Sequence, residues 1–140
     1  MTYQEYKLIY SESHQHPTNI KIHTICVPLI LWSIIALLDM CPLPYGSVGH
    51  VAILLTFFYY HFIEVPLFEN VLFVYVTMSM LLLSRFLGDY RLYTALVVFV
   101  LSWIGQFVGH KIEGKKPSFL QDIFFLLIGP MWVLEKFKKN

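Results

Sequence analysis

The sequence predicts an all-α integral membrane helical bundle. It would have about four transmembrane helices, an interfacial N-terminal helix and a re-entrant or interfacial C-terminal helix. Three observations lead there. Hydrophobic residues make up 57% of the 140 and charged residues only 14%, against about 25% charged in soluble domains, too few to clothe a water-exposed surface. Mean hydropathy is +0.63. The apolar residues also fall into runs of helical length separated by Pro, Gly and Asp breakers. The length suits a single membrane-embedded domain over residues 1–140.

Residues 2–13 place Tyr3, Tyr6 and Tyr10 at helical spacing among polar residues, the pattern of a short helix lying at the interface. This polar start lacks the basic-then-apolar pattern of a signal peptide, so no cleavage is expected. Pro17 fits a first helical position with His16 near the cap, and that helix continues through the apolar run 24–38 to Asp39. The breakers from Cys41 to Gly46 end it. A second run, 51–63, stops at Glu64-Val65-Pro66, and a third covers 67–87. A tight loop from Gly88 to Arg91 precedes a fourth run, 92–108, and a basic loop, 111–117, follows it. The last run, 119–134, is short and interrupted by Asp122 and Gly129-Pro130, so it is expected not to cross.

With Lys7 and Lys21 on the cytoplasmic side, four crossings return Lys111, Lys115 and Lys116 there, and a non-crossing last helix keeps Lys136, Lys138 and Lys139 with them. Arg85 and Arg91 are then misplaced, partly offset by Asp89. In this topology His14, His16, His23, His61, Glu64 and His110 share one face, and His50 alone lies on the other. Net charge is +1, which removes the bulk electrostatic case for nucleic acid. Cys26 and Cys41 form neither a CxxC motif nor a disulfide framework.

The two histidine segments carry the chemistry. Asn19 and His23, four apart, share a helix face. His16 precedes His23 by seven residues, about 10 Å along a helix axis, at the limit for one ion, so His14 is the preferred ligand. His110 and Glu113 are three apart, so Glu113 can orient the imidazole, bind a metal or act as a base. Three neutral imidazoles leave positions open on an iron, as O2 chemistry requires. Each residue also has a structural reading. His14 and His16 suit turns or caps, His110 suits a helix C-terminus, and Glu113 suits an ion pair with the neighbouring lysines. His61 reads as a packed interfacial residue and His50 as structural. Gly105 and Gly109 read as a helix-packing pair, and Cys26 as a small buried hydrophobe.

The stretch Tyr10-x3-His14-x2-Pro17-x-Asn19-x3-His23-x4-Pro28, taken with Gln106-Phe107-Val108-Gly109-His110-x2-Glu113-x3-Pro117 and Gly129-Pro130, resembles the small membrane-embedded 2-hydroxy fatty acid dioxygenase family. Its members include a fungal endoplasmic-reticulum enzyme of phytosphingosine breakdown and bacterial relatives. The resemblance implies Fe(II) held by His14, His23 and His110, with Asn19 and Glu113 as catalytic residues beside them. It further implies α-oxidation of a long-chain 2-hydroxy fatty acid by O2 to the acid one carbon shorter. The setting it implies is the endoplasmic reticulum or a bacterial inner membrane, among membrane lipid, with the site on the cytoplasmic face. His16 falls where the fungal sequence has Asn. The competing expectations are a non-enzymatic multi-span membrane module and another histidine–iron lipid oxidase. A di-iron desaturase would need about eight histidines in HxxxH and HxxHH boxes, and the chain has 6 with no HxxHH.

Overall fold

In the computed structural model, which describes residues 1–139, nearly all regular structure is helical. Helix α1 (Tyr3–Glu12) opens on a reciprocal cap in which the Thr2 amide donates to Glu5 and the Glu5 amide to the Thr2 hydroxyl. Helix α2 (Pro17–Asp39) starts as expected, with Pro17 at its first position and the His16 ring nitrogen accepting from the Thr18 amide at 3.2 Å. A two-residue antiparallel pair, β1 (Pro42–Leu43) and β2 (Gly46–Ser47), turns the chain into α3 (Val48–Phe62). Helices α4 (Leu67–Arg85) and α5 (Arg91–Glu113) follow, joined by a 3-10 turn at Gly88–Tyr90. A second 3-10 turn, Ser118–Leu120, leads to α6 (Phe125–Lys139).

Helices α2 to α5 run up and down beside one another. At one end Ser47 and Arg85 meet Asp39. At the other, Tyr3 donates to the Ile63 carbonyl and the α5 terminus reaches His16. Among the described residues, three stretches are long and apolar enough to cross a membrane: Pro17–Asp39, Leu67–Arg85 and Gly88–Glu113. The fourth expected span, α3, is apolar but has 15 residues and reaches only about 22 Å, against a hydrocarbon core of about 30 Å.

Polarity in the bundle is reversed relative to a soluble protein. Large apolar side chains such as Phe58, Leu83 and Leu101 are more than half exposed, whereas Asn19, Ser33, Asn70 and Ser84 are fully buried. The buried hydroxyls need no water, because Ser33, Thr77 and Ser84 donate to carbonyls of their own helices at 2.7, 2.9 and 2.6 Å.

Several local expectations change. Tyr3, Tyr6 and Tyr10 do form one face of α1, but protein covers it: Tyr6 and Tyr10 lie against Phe125 of α6, and Tyr10 also against Trp132. Helix α5 runs on to Glu113, so Lys111 is helical and the turn begins at Gly114, whose φ of 78° ends the helix. The last helix starts later and ends later than 119–134. Asp122 accepts from the Phe124 amide at 2.9 Å in the turn before it, and the helix continues through Gly129-Pro130. It lies across the histidine end of the bundle, where Lys138 pairs with Glu69 and Lys7 with Glu135. Asp39, rather than Asp89, pairs with both arginines. Cys26 is only half-buried, and its sulfur would lie 2.7 Å from a Cβ placed on Gly105.

Candidate metal centre

Three elements bring three imidazoles together. His14 sits in the turn after α1, His23 two turns into α2, and His110 near the end of α5. Each is buried. The rings stand 4.3 Å (His14–His23), 4.7 Å (His23–His110) and 4.9 Å (His14–His110) apart by centroid and are nearly perpendicular to one another. One ring nitrogen from each lies within 4.8 Å of the others. Gly109 permits this approach, since a Cβ there would collide with the Asn19 side chain.

The second ring nitrogens decide the tautomers. His14 Nδ1 lies 2.7 Å from the Tyr10 carbonyl and His23 Nδ1 lies 3.1 Å from the Asn19 carbonyl. A carbonyl only accepts, so both Nδ1 atoms carry the proton and both Nε2 atoms present lone pairs. His14 Nε2 and His110 Nδ1 are buried with no hydrogen-bond partner. His23 Nε2 and His110 Nε2 face each other at 3.0 Å, the spacing of two ligands at right angles on an ion with bonds of about 2.1 Å. The buried His14 Nε2 lone pair without a donor, and two further Nε2 atoms facing each other, fit a cation. Burial also lowers the His14 pKa to about 4, keeping that ring neutral, the form that ligates, at neutral pH.

His14 is clamped between the Tyr10 ring, stacked at 4.0 Å, and Trp132 at 5.4 Å. Glu113 accepts from the backbone amides of Gln15 and His16, the latter at 2.8 Å. It thereby ties the His14 turn to α5 and places a carboxylate at the N-terminus of α2, where the helix dipole favours it. Asn19 donates to the Ser13 carbonyl at 3.2 Å. Glu113 and Asn19 thus hold the backbone that carries the ligands, and neither lines the cavity in front of them. Glu113 forms no ion pair with the neighbouring lysines, and Lys115 donates instead to the Glu12 carbonyl. His16 is a cap. His61 is exposed rather than packed, and His50 accepts from the Ser47 amide at the far end.

The cluster heads a cavity of about 310 Å³, within the range of small-ligand pockets. Tyr10, Gln106 and Ser118 join the histidines at the polar head, and the walls running away from it are Val27, Ile30, Ile34 and Leu38 of α2, with Ala52 and Phe73 opposite. From His23 to Leu38 is about 22 Å of helix. Sequence reasoning gave Gln106 no role. The available signal was a lone carboxamide in an apolar helix, four residues before a histidine on the same face.

A helical protein of membrane type, with a buried histidine triad able to hold a metal beside a long apolar cavity, is the class that fold and site define. The family model described as 2-hydroxy-palmitic acid dioxygenase Mpo1-like matches residues 1–140. The chain is also 31% identical over 138 residues to the 2-hydroxy-palmitic acid dioxygenase MPO1 of Saccharomyces cerevisiae, covering 91% of this chain and 75% of the relative. The chain belongs to the Mpo1-like family. No solved structure matches it.

Proposed function

We propose that the protein is an Fe(II)-dependent dioxygenase that converts a long-chain 2-hydroxy fatty acid to the acid one carbon shorter. The carrying observation is the triad of inward-facing imidazole nitrogens, two of the rings with an orphaned nitrogen, at the polar head of an apolar cavity. His14, His23 and His110 would hold the iron, which when bound supplies one-electron chemistry with O2 and positions open to substrate. Glu113 and Asn19 keep the His14 turn and α2 in register behind the ligands. The cavity walls take the acyl tail and exclude water, with about 0.8 kcal/mol gained per CH2 buried. The balance closes without another reductant, since 2-hydroxy acid plus O2 gives the shortened acid, carbon dioxide and water.

The proposed setting is one membrane-embedded unit in an inner or endoplasmic-reticulum membrane, with the histidine end cytoplasmic. Supporting this, Lys7, Lys21, Lys111, Lys115 and Lys116 gather at that end, while Arg85 and Arg91 at the other are both paired with Asp39. The proposed fourth crossing is α3, lengthened by the Pro42–Leu43 and Gly46–Ser47 pair before it. To test the reaction, iron is loaded anaerobically, O2 is admitted, and 2-hydroxypalmitic and palmitic acid are followed separately by mass spectrometry. Only the hydroxy acid should yield a product one carbon shorter. Equal turnover of both would indicate a general fatty acid oxidase, and protein that binds no metal would indicate a non-enzymatic membrane module.

A further inference from the structure

Among the described residues the bundle buries three carboxamides, and they are not equivalent. Asn19 donates to the Ser13 carbonyl at 3.2 Å and Asn70 to the Phe57 carbonyl at 3.0 Å, each joining two parts of the backbone through its amide N–H although its oxygen, like that of Gln106, is buried without a partner. Neither lines the cavity. Gln106 does line it, is 9% exposed, and has a side-chain oxygen buried with no partner. Its side chain makes no hydrogen bond among the described residues. It stands on α5 one turn before His110, about 6 Å along the axis, and so beside the metal-ligating head. A buried amide left unpaired is destabilising, and a helix that needed only packing here would be better served by Leu or Met. The position therefore answers to something that enters the cavity.

We propose that Gln106 reads the 2-hydroxyl group of the substrate, an inference that rests on the function proposed above. The orphaned oxygen requires a donor. At neutral pH the carboxylate of the acid offers none, nor do O2 and the acyl tail. The hydroxyl on the carbon next to the carboxylate is the one group of the substrate with a proton to give. The same hydroxyl can accept from the amide N–H, so the pair forms with the carboxamide in either orientation. An acid without the hydroxyl leaves Gln106 unpaired in a closed site, which is how a cavity rejects an analogue lacking a hydrogen-bonding group.

The test measures anaerobic binding of 2-hydroxypalmitic acid and of palmitic acid to the full-length, iron-loaded protein in micelles, with bound metal quantified in each sample. Wild type should prefer the hydroxy acid. Gln106→Met, of similar volume, should lose that preference by about ten- to a hundredfold, while its metal content and its affinity for palmitic acid hold. Gln106→Glu retains an acceptor oxygen and should keep the preference while binding both carboxylates more weakly. Preference intact in Gln106→Met, or lost in Gln106→Glu with metal retained, overturns the role of Gln106 alone. Wild type without preference overturns this role and the proposed function together.

Discussion

The two ends of the helical bundle each bury a cluster of polar groups, and they differ in how far those groups are satisfied. At one end the Asp39 side chain, 1% exposed, accepts from Arg85 at 2.8 and 2.9 Å, from Arg91 at 2.8 Å and from the Ser47 hydroxyl at 2.6 Å. Its acceptor capacity is filled from three elements of the fold. At the other end His14 Nε2, His110 Nδ1 and the Gln106 oxygen are buried with nothing to bond. A filled network ties helices together, whereas an unfilled one is strain that a ligand relieves. Burial and polarity alone do not separate the two. The hydrogen-bond account does.

The largest effects should therefore separate cleanly between ends. His14→Ala, His23→Ala and His110→Ala should each reduce metal content from about one ion per chain to near zero and abolish turnover. Metal-free unfolding should shift by no more than about 2 kcal/mol, because the new space adjoins an existing cavity. Elemental analysis with thermal melts in micelles checks both halves. Asp39→Ala should do the reverse, keeping the metal while destabilising the protein by roughly 2–3 kcal/mol. That lies below the cost of breaking a fully buried pair, since the Arg85 side chain is 48% exposed. An Asp39 variant that lost its metal while still folded would break the comparison.

An intermediate effect is expected where backbone support meets ligand. Glu113→Ala removes the acceptor for the Gln15 and His16 amides and should weaken metal binding about ten- to a hundredfold. Glu113→Gln, which keeps an oxygen, should cost less, and Lys115→Ala should leave affinity at the wild-type value. Metal competition titrations give the ranking. Equal affinity for Glu113→Ala and wild type would mean that the His14 turn holds itself.

What was legible from the residues was local. Pro17 and His16 announced the start of α2, Gly105 and Gly109 its packing partner, and the periodic tyrosines one face of α1. What covers that face was not legible, because lipid and α6 are both apolar to a periodicity argument. Helix ends that continue into polar residues, such as Lys111 to Glu113, escape a reading based on apolar runs. The carboxylate that partly offsets Arg85 and Arg91 was sought at Asp89, close in sequence. It lies at Asp39, separated by a turn of the whole bundle. In the site, the histidine spacing pointed to groups able to share an ion. Only the tertiary structure shows Glu113 holding backbone amides and Gln106 without a partner, since both facts depend on which distant parts of the chain the fold brings alongside.

The smallest effect should come from the imidazole at the filled end. His50 is three residues into α3, and its Nδ1 accepts from the Ser47 amide at 3.1 Å while lying 3.1 Å from the Ser47 hydroxyl. That is the reciprocal half of a helix cap, and Ser47 is independently held by Asp39. His50→Ala should thus remove one partly redundant bond, lowering stability by about 0.5–1 kcal/mol, with metal content and turnover unchanged. The variant matters as a control, because it deletes a histidine from a membrane-type bundle without touching the triad. If its metal content fell as far as that of His23→Ala, the ion would depend on an imidazole at the opposite end of α2, about 22 Å from the cluster. The assignment of the two ends would then have to be exchanged.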